Sequence, residues 1–346
     1  MARLNRSSQV HLITGGAGFI GSHLADALVA RGDEVVILDD LSTGRRENVA
    51  HLVESGAVFV EGSVLDAGLV DHWVERTDSC FHLAAAVGVK LVVENPLESL
   101  LRNVRGASVV AYAAAQHGRP MLFTSTSEVY GKHSNGALQE DSDCLLGPSS
   151  KSRWGYANAK TFGEMLAFGY ARERGARTVV VRLFNSVGPR QLDVYGMVLP
   201  RFVSQALRGD DLTVYGDGTQ SRCFTHVNDT VEAIMAVADS DRWLGEVFNI
   251  GASSEITIQQ LAERVIERTG SSSRIRRIPY GEAYGDGFEE LGSRKPDTEA
   301  IEELCGWRPK RTIDDAIDDL VAHERKSSAR LAATPVPRFE AGPGVR

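Results

Sequence analysis

The chain has 346 residues, of which 42% are hydrophobic and 24% charged, so it is long enough for one large α/β unit with a smaller appended region and too apolar for a disordered protein. Its formal net charge of -8 gives no electrostatic footprint for nucleic acid or for an anionic membrane surface. The four cysteines, Cys80, Cys144, Cys223 and Cys305, have neither metal-binding nor disulfide spacing, so we expect a reduced, cytoplasmic protein without a metal site.

Short apolar segments alternate with helical patterns through the first half of the chain. Buried parallel strands are indicated at 10–14, 34–39, 58–62, 80–85, 121–125 and 178–185. Helices are predicted between them, chiefly at 20–31, 97–117 and 156–174. This alternation predicts an α/β fold with a doubly wound, Rossmann-type parallel sheet. No apolar run approaches the length of a membrane span.

The pattern changes to shorter, mixed elements after residue 185. Helices are predicted near 199–208 and from 228 and 257, and strands at 212–216 and 246–250. We therefore expect a dinucleotide-binding domain at 1–185 and a smaller mixed α/β substrate-binding region mainly at 186–325. Residues of about 226–250 are expected to pack back on the first domain. Residues 326–346 are rich in Pro, Ala, Gly and Ser without apolar periodicity, so a mobile tail is expected there.

The first predicted strand runs into the glycine-rich segment TGGAGFIG, which opens a helix. In this context Gly15 allows a tight turn, Gly18 lets the backbone approach a pyrophosphate, and Gly21 lets the helix pack close to the strand. The free amides of the helix start, around Phe19 and Ile20, would then face the phosphates. The segment predicts a dinucleotide site.

Polar and small residues at the ends of the next strands extend this site. Asp39 ends the second predicted strand, where a carboxylate can accept from both ribose hydroxyls and repel a 2'-phosphate. NAD is therefore favoured over NADP, although the arginines at 45–46 leave the alternative open. Asp66, and Leu83 and Ala84 of the segment HLAA, are the further cofactor contacts expected at this edge of the sheet.

Tyr156 and Lys160 lie four residues apart and so share one face of a predicted helix. A lysine ammonium beside a phenol would lower the pKa of the tyrosine, so that Tyr156 could act as a general base near neutral pH. A surface pair without a chemical role is the alternative explanation of this spacing when it is taken alone.

The chain contains, in this order, the segments TGGAGFIG, HLAA, STSEVYG, Tyr-x-x-x-Lys and RLFNSVGPRQ. In their order and spacing these segments resemble those of the extended short-chain dehydrogenase/reductases that modify nucleotide sugars. The resemblance runs from about residue 10 to about residue 325. The resemblance implies NAD, a UDP-sugar and a 4-keto intermediate. Tyr156 would take the proton of the sugar 4-hydroxyl, and Lys160 would hold the nicotinamide ribose. Thr126 would hydrogen-bond the 4-oxygen, and Ser127 and Glu128 would face C5 and C6.

The resemblance also implies where the nucleotide end of the substrate binds. Asn185, Arg222 and Arg294 would hold the diphosphate, for which the arginine fork is suited. Val198 to Phe202 would lie against the base, and Tyr215 near the ribose or uracil. Each arginine could alternatively be a surface charge.

Three reactions share a 4-keto intermediate, namely 4-epimerisation, 4,6-dehydration and decarboxylation of a uronate. Ser127 followed by Glu128 resembles UDP-glucuronate decarboxylases, which form UDP-4-keto-pentose or UDP-xylose. Val194 stands where acid epimerases often present an arginine that would hold the carboxylate, although Arg190 could supply that charge. Decarboxylation is therefore favoured. Lys90 is a further expected substrate contact.

Epimerisation of UDP-glucose or UDP-glucuronate at C4 is the main alternative, because two segments resemble 4-epimerases, GPRQLDVYGMVLPRFV and GEAYGDGFEELGSRKPD. A 4,6-dehydratase and a non-catalytic nucleotide-binding protein are lesser alternatives. The resemblance further implies a homodimer, since in this family the helices predicted at 97–117 and 156–174 pair across a dimer as a four-helix bundle.

Overall fold

The computed structural model describes residues 8–88, 95–133, 136–193, 197–279, 281–282 and 294–333. Its strands are β1 (Val10–Thr14), β2 (Glu34–Asp39), β3 (Val58–Glu61), β4 (Ser79–His82), β5 (Met121–Thr126), β6 (Ala137–Leu138), β7 (Thr178–Leu183), β8 (Ser186–Val187), β9 (Leu212–Tyr215), β10 (Ser221–Cys223), β11 (Thr225–His226), β12 (Leu244–Ile250), β13 (Glu255–Thr257), β14 (Ile275–Ile278) and β15 (Lys295–Pro296). Its α-helices are α1 (Phe19–Arg31), α2 (Ala50–Glu54), α3 (Ala67–Glu75), α4 (Pro96–Gln116), α5 (Gly155–Arg174), α6 (Val198–Arg208), α7 (Val227–Ala238), α8 (Ile258–Thr269), α9 (Glu299–Cys305) and α10 (Ile313–Ala333).

Seven strands form one parallel sheet in the order β12, β7, β5, β4, β1, β2, β3. Strand β1 pairs with β2 on one side and with β4 on the other, so the winding of the chain reverses at β1. In such sheets ligands bind at the reversal point, beyond the carboxyl ends of the strands. The predicted doubly wound, Rossmann-type sheet is confirmed.

Each face of the sheet carries its own hydrophobic core. On one face, Leu24 of α1 and Ile234 of α7 pack with strand residues such as Ile13. On the other face, Val110 of α4 and Ala167 of α5 pack with another set of strand residues. Because both faces are covered, the strands are continuous apolar runs rather than alternating ones.

A third core lies outside the sheet, in the second part of the chain. It is built by α6, α8, α10 and β9, with members such as Phe202, Leu261 and Ile317. Helix α7 and strand β12 belong to the first part instead, since β12 pairs with β7 at the edge of the main sheet. The division into two domains at about residue 185 stays a prediction.

The C-terminal helix is longer than the sequence pattern indicated. Helix α10 continues to Ala333, so residues 326–333 are helical where a tail was expected. Alanine, leucine, arginine and lysine in KSSARLAA are strong helix formers, which explains the extension. Residues 334–346 lie outside the described residues.

Among the residues that the structure describes, no helix is long and apolar enough to cross a membrane. The same residues contain no group of three or more His, Cys, Asp or Glu side chains that could hold a metal ion.

Candidate active site

A cavity of about 750 Å³ lies between the carboxyl edge of the main sheet and the second part of the chain. Its first wall includes the turn after β1 and the chain at the ends of β2, β3, β4 and β5. Its second wall includes the start of α6, the end of β9 and the middle of β10. The cavity therefore joins the predicted cofactor site to the predicted substrate site.

The turn after β1 packs too closely on its neighbours for a side chain. Gly15 has a φ of +71°, and a Cβ there would lie 2.7 Å from the backbone nitrogen of Ala84. A Cβ on Gly21 would lie 2.2 Å from the carbonyl oxygen of Gly15, which fixes α1 against the turn. The helix start thus presents its backbone to the cavity, as dinucleotide phosphates require. The adjoining cavity wall is formed by Gly18, Phe19 and Ile20.

Asp39 lies at the cavity end of β2 and is 7% exposed. Its carboxylate accepts hydrogen bonds from the amides of Ala17 at 2.9 Å and Leu41 at 2.8 Å. Burial raises the pKa of Asp39 above its ordinary value, although these amides oppose the rise. A carboxylate offers about four acceptor positions, so the two hydroxyls of a ribose can still be accommodated. The turn and this carboxylate fit NAD.

The other predicted cofactor contacts differ in their placement. Leu83 and Ala84 line the cavity after β4, and their contact with NAD stays a prediction. Asp66 is exposed and does not line it; its carboxylate instead caps α3 by accepting from the amide of Leu69 at 3.0 Å. The cavity wall near this position is formed by Gly62, Ser63, Val64 and Leu65.

Thr126 and Tyr156 meet at the middle of the cavity. Thr126 ends β5 and hydrogen-bonds the Tyr156 hydroxyl, which α5 carries in its first turn. The Thr126 Oγ1 also accepts from the amide of Glu128 at 3.2 Å and so caps the short helical turn that follows β5. The strand end and the helix start are thereby held together at two hydroxyl groups.

Lys160 lies one helical turn beyond Tyr156 and is 4% exposed. Its Nζ donates to the carbonyl oxygen of Thr124 at 2.8 Å. Burial lowers the pKa of Lys160 to about 8, although the nearby Glu164 carboxylate opposes the shift.

The prediction that Lys160 lowers the pKa of Tyr156 is wrong for this structure. Burial and the negative charge of Glu128 raise the pKa of the phenol, and only the hydrogen bond from Thr126 lowers it. The lysine ammonium is directed to a backbone carbonyl instead. Because its pKa is raised, Tyr156 can act as a base only after it has lost its own proton.

Glu128 is held between two arginines. Its Oε2 lies 2.6 Å from Nη1 of Arg153, and its Oε1 lies 3.6 Å from Nη2 of Arg294. Burial by itself would raise the pKa of Glu128, but the two guanidinium charges outweigh it and hold the pKa below its ordinary value. Ser127 is buried beside Glu128 at the cavity wall. This end of the cavity therefore contains a carboxylate that stays ionised.

Arg294 was expected at the diphosphate, and the structure places it beside Glu128. It is 4% exposed and lines the cavity. Among the described residues, its Nε and Nη1 have no hydrogen-bond partner. A buried guanidinium with unsatisfied N–H groups is costly unless an acceptor is supplied, so this site favours an anionic ligand group.

The second half of the cavity is lined by Asn185, Val198, Tyr215 and Arg222, whose substrate contacts stay predictions. Asn185 has a φ of +32°, and its Nδ2 donates to the carbonyl oxygen of Cys223 at 2.8 Å. This bond fixes the chain where it passes from β7 into the second part of the fold.

Two predicted substrate contacts, Phe202 and Arg190, do not line the cavity, and a third lies outside the described residues. Phe202 is fully buried in the third hydrophobic core. The guanidinium of Arg190 lies 2.7 Å from the Asp26 carboxylate on α1, so its charge is already neutralised by the protein. Lys90 lies outside the described residues, as does Val194.

Several cavity residues received no individual role from the sequence. Arg153 precedes Tyr156 by one helical turn, which is the signal that could have identified it. Arg201 falls inside the segment predicted to contact the base. Ser125 and Gln191 line the cavity, and among the described residues Oγ of Ser125 and Oε1 of Gln191 have no hydrogen-bond partner.

Residues 11–251 match a family model described as the NAD dependent epimerase/dehydratase family. The UDP-N-acetyl-alpha-D-glucosaminuronate decarboxylase of Bacillus cytotoxicus is 43% identical over 311 residues, which cover 90% of this chain and 96% of that protein. UDP-glucuronic acid decarboxylase 1 of Arabidopsis thaliana is 34% identical over 324 residues, which cover 91% of this chain and 69% of that protein.

A solved structure with the same fold belongs to an epimerase rather than a decarboxylase. The UDP-glucose 4-epimerase of Thermotoga maritima, solved with UDP-glucose, superposes with a TM-score of 0.81 and is 30% identical, covering 92% of this chain and 99% of that one. Decarboxylases and epimerases are therefore both among the proteins that this chain is similar to.

Proposed function

The chain belongs to the NAD-dependent epimerase/dehydratase family, and on that basis we propose that it removes the C6 carboxylate of a UDP-linked hexuronate as CO2, through a 4-keto intermediate. Both decarboxylases reported above are named for UDP-linked uronates. UDP-glucuronate is the substrate predicted from the sequence. The name of the Bacillus cytotoxicus relative adds the 2-acetamido analogue of UDP-glucuronate as a second candidate substrate.

The ionised Glu128 between Arg153 and Arg294 carries this proposal. Two guanidinium groups and one carboxylate leave one net positive charge at the proposed sugar end of the cavity. A substrate carboxylate would neutralise that charge and supply acceptors to the unsatisfied N–H groups of Arg294. The hydroxyl groups of a neutral hexose could accept hydrogen bonds but would leave the net charge uncompensated, so a uronate fits this site better.

The charge of Glu128 also bears on the fate of the carboxylate. Oxidation at C4 makes the C6 carboxylate β to a ketone, so that the bond between C5 and C6 can break and its electrons move to the C4 oxygen. Strong binding of the carboxylate by two arginines would stabilise the starting state and raise the barrier. Glu128 offsets one of those arginines, which permits binding without that penalty.

The remaining residues act at C4. Bound NAD would supply the oxidation of that carbon and its later reduction. We propose that Tyr156, once it has lost its own proton, accepts the proton of the 4-hydroxyl, and that Thr126 hydrogen-bonds the same oxygen. Both groups would then hold the negative oxygen that develops at C4 as CO2 leaves. Lys160 is proposed to bind the nicotinamide ribose. The diphosphate is proposed to lie against Asn185 and Arg222.

Epimerisation at C4 is the second candidate, because the Thermotoga maritima 4-epimerase covers nearly the whole chain at 30% identity. It uses the same oxidation but needs neither Glu128 nor the two arginines. Dehydration across C5 and C6 requires a group that protonates the departing 6-hydroxyl. Ser127 is not an acid, and Glu128 stays ionised, so dehydration is not proposed.

Product analysis tests the proposal. The protein is incubated with UDP-glucuronate and, separately, with UDP-N-acetylglucosaminuronate; NMR identifies the sugar products, and released CO2 is measured. One of the two is expected to give a UDP-4-keto-pentose or UDP-pentose with one CO2 per turnover. UDP-galacturonate or its 2-acetamido analogue without CO2 would assign the protein to the epimerases instead.

The variant Tyr156→Phe serves as the control for this assay. Loss of the proton acceptor is expected to lower turnover by at least about 10²-fold while NAD still binds. Near-normal turnover in this variant would contradict the role proposed for Tyr156.

We also propose a homodimer formed by α4 and α5. Large apolar side chains are exposed on both helices, including Leu97 at 67%, Tyr112 at 53% and Met165 at 65%. A second copy of the chain would cover them. Met165→Glu is expected to convert the dimer to a monomer in light scattering, whereas Leu244→Glu, at a position 72% exposed but on β12, is expected to leave the dimer intact. The cytoplasmic location stays a prediction.

A further inference from the structure

Arg201 lies in the first turn of α6 and lines the cavity on the side of the third hydrophobic core. The carbon at the centre of its guanidinium is 4.0 Å from the centre of the Tyr215 ring, which also lines the cavity. Its Nη2 donates to the carbonyl oxygen of Thr213 at 2.9 Å. Neither the proposed oxidation nor the loss of CO2 uses this side chain.

The guanidinium plane is positioned before any ligand arrives. Thr213, which anchors Nη2, is itself fixed by Gln205, whose Oε1 accepts from the Thr213 amide at 3.1 Å and whose Nε2 donates to Thr213 Oγ1 at 3.0 Å. Tyr215 covers the face of the guanidinium. A group held in this way loses little freedom when it binds a ligand.

Arg201 still has hydrogen bonds to donate. Among the described residues, Nη2 is the one nitrogen of Arg201 with an acceptor, and Nε is enclosed without one. A guanidinium has five N–H groups and no acceptor, so the complementary ligand atom is an oxygen. The apolar neighbours on the same wall, Val198, Phe224 and Ile258, suit a flat base better than a hydrated phosphate.

We propose that Arg201 determines base specificity by donating to the C4 oxygen of the substrate's uracil. The inference rests on the proposed function, in which the substrate is a UDP-sugar. Uracil and cytosine have nearly the same shape, but at C4 uracil has an acceptor oxygen and cytosine has an amino donor. Arg201 has no acceptor to offer that amino group. The site therefore selects UDP over CDP.

Titration calorimetry of the NAD-loaded protein with UDP and with CDP tests the inference. The wild type is expected to bind UDP about 100-fold more tightly than CDP, because a site built for a hydrogen-bonded group rejects a ligand that lacks it. Arg201→Met is expected to bring the two affinities to within about 3-fold of each other, mainly because the binding of UDP becomes weaker. Arg201→Lys keeps the charge without the fork and is expected to retain about 10-fold preference.

Two controls separate specificity from folding. Arg208→Met changes an exposed arginine on the same helix, which pairs with Asp210, and is expected to preserve the ratio of UDP to CDP affinity. NAD affinity is expected to be unchanged in every variant, which shows that the main sheet is intact.

The ratio of affinities decides the outcome. If Arg201→Met weakens the binding of UDP and CDP equally, Arg201 only packs against Tyr215 and the inference is overturned. It is also overturned if the wild type binds both nucleotides equally well. Failure of the proposed function is a separate result, namely tight UDP binding without turnover of either UDP-hexuronate.

Discussion

Glu128 and Arg153 form a close ion pair, in which Oε2 and Nη1 are 2.6 Å apart and both side chains are largely buried. Arg294 approaches the other carboxylate oxygen at 3.6 Å. The pair joins the short turn after β5 to the turn that precedes α5. Any change at Glu128 therefore alters the charge balance of the whole cluster.

The variant Glu128→Gln is expected to lose CO2 formation by about 100-fold, because a buried charge partner of two arginines is removed. Both guanidinium groups would then stabilise the substrate carboxylate, so oxidation at C4 would be followed by return of the uronate as its 4-epimer. We expect UDP-galacturonate, or its 2-acetamido analogue, to become a larger share of the product. NMR of the product mixture measures this share.

Glu98→Gln is the matched control, since Glu98 also lines the cavity but pairs with Arg102 on α4. It is expected to change CO2 formation by no more than about 2-fold, as exposed ion pairs contribute little. Unchanged CO2 formation in Glu128→Gln would remove the argument that its charge promotes decarboxylation.

The main sheet was predictable because its strands are short apolar runs between helical patterns, and the observed bounds of β1 and β2 agree with the prediction. The meeting of Thr126 at the end of β5 with Tyr156 at the start of α5 was also predictable in part, since both residues lie in local motifs. The placement of Arg294 was not. It reaches Glu128 from 166 positions further along the chain, and no local pattern encodes that contact.

Burial explains the other differences. Phe202 is an apolar residue on an amphipathic helix, and the sequence alone does not tell whether such a residue faces a core or a cavity. Arg190 was expected to be available to the substrate, but Asp26 of α1 neutralises it across the fold. The pKa of Tyr156 depends on which group the Lys160 ammonium faces, and that is a property of the folded chain.

Lys160→Met is expected to stabilise the protein at pH 7 while it weakens NAD binding. Burial lowers the pKa of Lys160 to about 8, against 10.5 in the unfolded chain, so the charged lysine costs stability in the folded state. The free energy of unfolding is expected to rise by about 2 kcal/mol, since the relief of this cost exceeds the lost hydrogen bond to Thr124. Urea denaturation measures it.

The dependence on pH gives the decisive check. Between pH 8 and 10.5 the folded wild type loses the lysine proton and the unfolded chain keeps it, so wild-type stability rises with pH in that range. The advantage of Lys160→Met should therefore shrink as the pH rises from 8 to 10.5. The exposed Lys326 on α10 provides the control variant Lys326→Met, for which little change is expected. A constant advantage at every pH would contradict the explanation.

Gly163→Ala is expected to disturb catalysis from a position outside the cavity. A Cβ on Gly163 would lie 2.3 Å from the Phe123 ring, which is 2% exposed and cannot move aside freely. Helix α5 would shift away from β5 and carry Tyr156 away from Thr126. We expect a loss of about 2 kcal/mol in stability and about 10- to 100-fold in kcat.

Gly169→Ala is the matched control, because a Cβ at this position on the same helix meets nothing within 4 Å. Its added methyl group is expected to stabilise the helix by up to about 1 kcal/mol with kcat unchanged. Thermal unfolding and steady-state kinetics of the two variants distinguish packing at Phe123 from helix propensity. Equal effects in both variants would count against a positioning role for the contact between Gly163 and Phe123.

The acid stability of the protein is expected to depend on His226. The ring Nδ1 accepts from the amide of Asn228 and so caps α7, while Nε2 lies 3.2 Å from the Asp319 carboxylate. Protonation would turn Nδ1 into a donor and break the cap. Burial lowers the pKa of His226, an effect that outweighs the opposing charge of Asp319.

The sign of the pH effect follows from that lowered pKa. The unfolded histidine takes up a proton below about pH 6.5 while folded His226 stays neutral, so stability is fully present above pH 6.5 and is lost as the pH falls below it. The buried His11 and His82 and the half-buried His23 also have lowered pKa values and add to the loss with the same sign.

His226→Asn keeps a side chain that caps helices well and removes the titration. Between pH 7.5 and 5.5 its free energy of unfolding is expected to fall by about 1 kcal/mol less than that of the wild type, as urea denaturation at the two pH values would measure. His72→Asn, at an exposed position on α3, should respond to acid as the wild type does. If His226→Asn loses as much stability as the wild type over this range, protonation of His226 is not a cause of the loss of stability in acid.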